Sequence, residues 1–140
     1  MTPKELHEYF YVKKPDLDRI ISKLEVDQKF DSLFHLALGS EVPNIKRKYP
    51  NEFNILKKCG VTHLSSQKNS FPKGSNWYYF ETDWPGEAPI LLSYNIKNTD
   101  EFSERQKGFY RKDEYSNEWW GLGEGWQMLQ LVKEIDYIKQ

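Results

Sequence analysis

The sequence contains a single cysteine, Cys59, and can close no internal disulfide. That excludes the stapled frameworks of small secreted domains and leads to the expectation of a reducing compartment. Charge of one sign is also missing, because 20 Lys and Arg against 21 Asp and Glu leave a net charge of −1. A chain so balanced has no global field to drive non-specific binding to nucleic acid or to an anionic membrane. Long hydrophobic runs are absent as well. No window approaches the ~20 apolar residues of a membrane span, and Met1 to Glu8 lack the continuous apolar stretch of a signal peptide. A cytoplasmic, membrane-free protein is the expectation. Neither an internal repeat nor a low-complexity tract is found, which disfavours solenoids and propellers.

Aromatic side chains are plentiful: five Trp, nine Tyr and eight Phe among 140 residues. They replace aliphatic bulk and argue against disorder. A chain of this length suits one domain, residues 1 to 140, with one core. Charge divides unevenly along it. Residues 1 to 60 hold 11 Lys and Arg against 9 Asp and Glu, and residues 61 to 140 hold 9 against 12, so the halves carry +2 and −3.

The pattern predicts an α+β fold in which N-terminal short helices pack on an antiparallel sheet of two hairpins, with a C-terminal helix. Thr2, Pro3 and Glu5 form a helix start signal, and Leu6 and Phe10 share a face. Lys13-Lys14-Pro15 reads as a break before a second helical stripe of Leu17, Ile20, Ile21 and Leu24, and Phe30, Leu33, Phe34, Ala37 and Leu38 repeat that spacing up to Gly39. Asn51 reads as the cap of a further short helix, and Gly60 stands where a left-handed residue ends it. A short strand is expected at Val61 to Leu64, then a polar loop over Ser65 to Asn76. Trp77 to Thr82 and Ile90 to Ile96 suit one hairpin, and Gly108 to Arg111 with Glu118 to Gly121 suit a second, joined by a loop from Asp113 to Asn117. A helix could start at Thr99. Trp126, Met128, Leu131, Val132, Ile135 and Ile138 fit a helical period. Leu24, Phe34, Leu92 and Ile135 are expected in one common core.

Motifs of chemistry are sparse. Gly121-Leu122-Gly123-Glu124-Gly125 lacks the Lys-Ser/Thr ending of a phosphate loop and carries a repelling Glu124, so it reads as a strand-to-helix bend. His7, His35 and His63 share no metal-ligand spacing. Cys59 falls near the carbonyl-rich end of a helix, which disfavours a thiolate nucleophile. No cofactor, metal or catalytic residue is assigned, and the expectation is a protein that is not an enzyme.

Recognition is therefore assigned to the acidic half. Glu81, Asp83, Trp84, Glu87, Asp113, Glu114, Tyr115 and Glu118 combine carboxylates that would steer a basic protein with Trp84 and Tyr115 as turn-borne anchors. On that reading Trp84 can be truncated without unfolding the domain. The basic stretch Lys46-Arg47-Lys48 reads as a solvated face, because the aromatics that could stack on bases lie mainly elsewhere; no nucleic-acid partner is expected. A bacterial immunity protein that masks a toxin, such as a basic nuclease, would have this character of a small toxin inhibitor. The alternative is a small carbohydrate-binding or carbohydrate-active module that uses Trp84, Trp119 and Trp120 as stacking platforms with nearby carboxylates.

Overall fold

The computed structural model describes residues 3–35, 40–41, 45–70, 75–85, 90–96, 105–112 and 115–133, with side chains over 4–34, 45–68, 76–85, 90–96 and 119–129. Helix α1 spans Pro3–Val26, α2 spans Gln28–Ser32 and runs into a 3-10 turn at Leu33–His35, and α3 spans Pro50–Lys58. The strands are β1 (Ser40–Glu41), β2 (Val61–Ser70), β3 (Ser75–Thr82), β4 (Leu91–Asn95), β5 (Arg105–Lys112), β6 (Tyr115–Gly123) and β7 (Trp126–Lys133). All seven form one antiparallel sheet in the order β1-β2-β3-β4-β7-β6-β5.

The α+β class holds, but the N-terminal break does not: α1 continues through Pro15. Proline removes one ladder bond and crowds the carbonyl four residues earlier. Here that carbonyl belongs to Tyr11, which is about half exposed at 49%, so water can take over the bond. Leu6, Phe10, Leu17, Ile20, Ile21 and Leu24 are all buried as one stripe, and burial of both halves on one core offsets the proline's cost. Asp27 then starts α2 by accepting from the Lys29 and Phe30 N–H groups, both at 3.0 Å. Those backbone hydrogen bonds, helped by Lys23, hold its carboxyl below the usual range.

α3 begins one residue before the expected cap. Tyr49 occupies the N-cap without a side-chain bond and Pro50 opens the helix. Its end is as expected, with Gly60 at φ +78°. The predicted polar loop over Ser65 to Asn76 is instead mostly strand, in β2 and β3. β1 pairs only Leu64 and His63 of β2, and an outer strand with one thinly paired edge tolerates Ser and Gln.

β3 pairs with β4 and β5 with β6, but the sheet is not the expected one of two hairpins, because β7 enters between the two pairs. Tyr115, Ser116 and Asn117 lie in β6 and not in a connecting loop. The largest correction is β7 itself, a strand where a C-terminal helix was expected. Trp126 and Met128 are core residues with buried Gln127 between them, a period of two. Ladders on both sides, to β4 and to β6, override the helical propensity of Met, Leu and Gln. The helix considered at Thr99 and the core position Ile135 lie outside the described residues. Among the described residues no helix is long and apolar enough to cross a membrane.

One cross-strand row shows where the core sits. Leu64 faces Phe80, Phe80 faces Leu92, Leu92 faces Met128 and Met128 faces Trp120, all buried in one cluster with the α1 stripe, Phe30, Phe34, Phe53 and Leu56. Leu24, Phe34 and Leu92 share that cluster as expected. Replacing Leu92 by Ala should cost ~2 to 5 kcal/mol in a denaturant titration, the range for a buried Leu that leaves a cavity. A loss below ~0.5 kcal/mol, typical of surface positions, would contradict the placement.

Candidate functional site

Of the residues assigned from sequence, Glu81, Asp83 and Trp84 have described side chains. Trp84, expected to project as an anchor, is buried at 3% exposure. Its Nε1–H donates to the Cys59 carbonyl at 2.6 Å, and its ring meets Tyr9 edge-on at 5.1 Å. The Asp83 N–H donates to the Gly60 carbonyl at 2.9 Å, which folds this segment back under the end of α3. A Cβ on Gly60 would stand 2.6 Å from Asp83 Oδ1 and 2.9 Å from Trp84 Nε1, so the position needs glycine for space as well as for φ. The turn reading failed because an indole beside a helix end gains more from filling the core and binding a carbonyl left over by the helix.

Asp83 itself is exposed, and Glu81 is half-exposed on β3 opposite His63 of β2, with Oε2 3.8 Å from Nδ1. Glu87, Asp113 and Glu114 lie outside the described residues. Tyr115 and Glu118 are placed by register alone, Tyr115 between Lys112 and Lys133, Glu118 between Lys107 and Gln130. Trp120, part of the alternative stacking platform, is a core residue whose ring lies 4.8 Å from His7. That platform loses Trp84 and Trp120 together and keeps Trp119.

What the structure assembles instead is a band on the sheet face turned away from the helices. Strand alternation puts the neighbours of the core row on that face. Across five strands the register runs His63, Glu81, Leu91, Leu129 and Trp119. All five are of intermediate exposure, and so is Tyr79 beside them. Burial raises the Tyr79 hydroxyl above its ordinary pKa. The next row, Ser65, Tyr79, Ser93, Gln127 and Gly121, has buried polar groups at its centre, with Ser93 Oγ donating to Gln127 Oε1 at 3.1 Å. Trp77 lies on the same face beyond Tyr79 but is buried, as is Asn95 opposite it. The sequence signalled this face only through adjacent aromatic pairs, Trp77-Tyr78 and Trp119-Trp120, which must point opposite ways in strands.

The remaining candidates are structural. Gly121 to Gly125 turns one strand into the next as a hairpin, with Gly123, Glu124 and Gly125 at φ +85°, +54° and +89°. Glu124 is tied to Lys14, whose pKa is raised by its bonds to Asp18 and then to Glu124. Tyr78 donates to Asp31 at 2.6 Å and Lys68 joins the same carboxylate, fastening α2 to the sheet. Cys59 is buried at 1% exposure, and burial, with a smaller contribution from Asp16, pushes its thiol up to about 11. Among the described residues no three His, Cys, Asp or Glu side chains are grouped to hold a metal ion. No protein-family model, curated protein or solved structure matches this chain.

Two measurements check this placement. Trp84→Ala should lower the unfolding free energy by ~3 to 5 kcal/mol, as for other buried aromatics, and not behave as a silent surface change. Cys59 in the native protein should resist alkylation at about pH 8, where an unfolded thiol of pKa ~8.5 reacts readily. The folded thiol keeps its proton where the unfolded one loses it. The stability it contributes is therefore complete below about pH 8.5 and is lost as pH rises toward 11.

Proposed function

We propose that this chain is a binding protein without catalysis, and that it meets a protein partner across the sheet face that bears Tyr79, Glu81, Leu91, Leu129 and Trp119. The single observation that supports the reading is the continuous row of half-exposed side chains crossing five strands, apolar at its centre and charged at the β2–β3 end. An apolar, partly desolvated centre with a polar rim is the usual anatomy of a protein interface. Glu81 gives that rim the sign that would steer a basic partner, in keeping with the acidic balance of residues 61 to 140. A toxin inhibitor of the immunity type, acting in the cytoplasm on a basic nuclease, is the finer form of this proposal.

A carbohydrate ligand fits the face less well. Sugar recognition needs hydroxyl partners beside the aromatic platform, and here Ser93 and Gln127 are about 1% exposed and bonded to each other. Leu91 and Leu129, in the middle of the row, offer no hydrogen bonds.

The test is a panel of basic proteins and a panel of glycans probed with wild type and with a Tyr79→Ala, Trp119→Ala double variant. A protein ligand should be held by wild type and lost from the variant, each aromatic anchor contributing ~2 kcal/mol or more. Glu81→Lys should slow association and flatten its salt dependence while leaving dissociation nearly unchanged. Binding to glycans that depends on Trp119, or protein binding indifferent to all three substitutions, would refute the reading.

A further inference from the structure

Several lysines of this protein are ion-paired. Lys14 binds Asp18 and Glu124, Lys23 binds Asp27, Lys58 binds Asp16 and Lys68 binds Asp31. Lys46, Arg47, Lys48 and Lys57 are exposed, and among the described residues none of them meets a carboxylate. Two of the four, Lys46 and Lys57, share one surface, and Arg47 and Lys48 follow Lys46 directly in the chain. Lys46, ahead of α3, and Lys57, in its last turn, hold their Nζ atoms 5.4 and 5.8 Å from the same Phe53 ring. Cation–π attraction gathers these two ammonium groups around a single buried anchor.

Fold energetics explains part of this placement. Lys57 and Lys58 stand in the last turn of α3, where the helix dipole favours cations. Lys46, Arg47 and Lys48 stand before its first turn, where the dipole disfavours them, and among the described residues no carboxylate forms an ion pair with them. A chain of net charge −1 thus carries a local excess of positive charge that its own packing does not use.

We infer that the surface formed by Lys46, Arg47, Lys48 and Lys57 docks an acidic segment of a protein partner. It is distinct from the sheet-face band and does not rest on it, since α3 packs against the core from the other side of the sheet. Charge complementarity selects an anionic occupant, and the aromatic content of the surface selects a peptide over a nucleic acid. Phe53 is buried beneath the lysines, and the half-buried Tyr49 packs its ring 5.0 Å from Phe30, so among the described residues of this surface little ring area is offered on which bases could stack.

The experiment measures, by fluorescence anisotropy at low and moderate salt, binding of a labelled oligoglutamate peptide about as long as α3, and of a single-stranded oligonucleotide of equal charge. Three proteins are compared: wild type, Lys46→Glu/Arg47→Glu/Lys48→Glu, and a control with the same charge change elsewhere, Lys4→Glu/Arg19→Glu/Lys29→Glu. Wild type should bind the peptide with marked salt dependence, the patch variant about tenfold or more weakly, and the control within about twofold of wild type. Neutral Lys46→Gln/Arg47→Gln/Lys48→Gln should fall between, which keeps the result readable if the reversed variant folds poorly. Absence of peptide binding, equal loss in patch and control variants, or tighter binding of the oligonucleotide than of the peptide would overturn the inference.

Discussion

Trp126 is the side chain on which the two layers converge. It has no exposed surface, and its ring lies 5.5 Å from Phe10 of α1, 5.5 Å from Phe80 of β3 and 5.0 Å from Tyr94 of β4. Its Nε1–H donates to Asp18 at 2.9 Å, and Asp18 in turn holds Lys14, which reaches Glu124 in the turn just before Trp126. One indole thus sets the distance between α1 and the sheet, while the charged chain around it sets the position of α1 against the β6–β7 turn. The Tyr11 hydroxyl, donating to the Leu122 carbonyl at 2.9 Å, strengthens the same junction. A buried tryptophan with a satisfied N–H combines large apolar burial with a directional bond, which few other side chains achieve.

That convergence makes the sheet two-sided. With α1, Phe34 and α3 committed to the Phe80 face, strand alternation sends Tyr79, Glu81, Leu91, Leu129 and Trp119 to the other. Packing accounts for most of the aromatic residues, as their size would suggest, but Tyr79 and Trp119 keep exposed area on the face away from the helices. The core and the outer band then use alternate residues of the same strands.

The chain by itself determined the apolar stripe of α1, the glycine end of α3 at Gly60, and the strand pair around Phe80 with Leu92, because each depends on residues close in sequence. Only tertiary structure decided the rest. Pro15 is tolerated because burial on both sides of it outweighs a single surface hydrogen bond. Residues 126–133 become a strand because β4 and β6 provide ladders on both edges, and local propensity carries no information about partners so distant in sequence. Trp84 is core and not anchor because Cys59 and Gly60, about 25 residues earlier, leave a carbonyl and a space that its ring fills. The same reason hid the sheet-face band: a row that crosses five strands is contiguous only once the register is set, and the register is fixed by which face the helices bury.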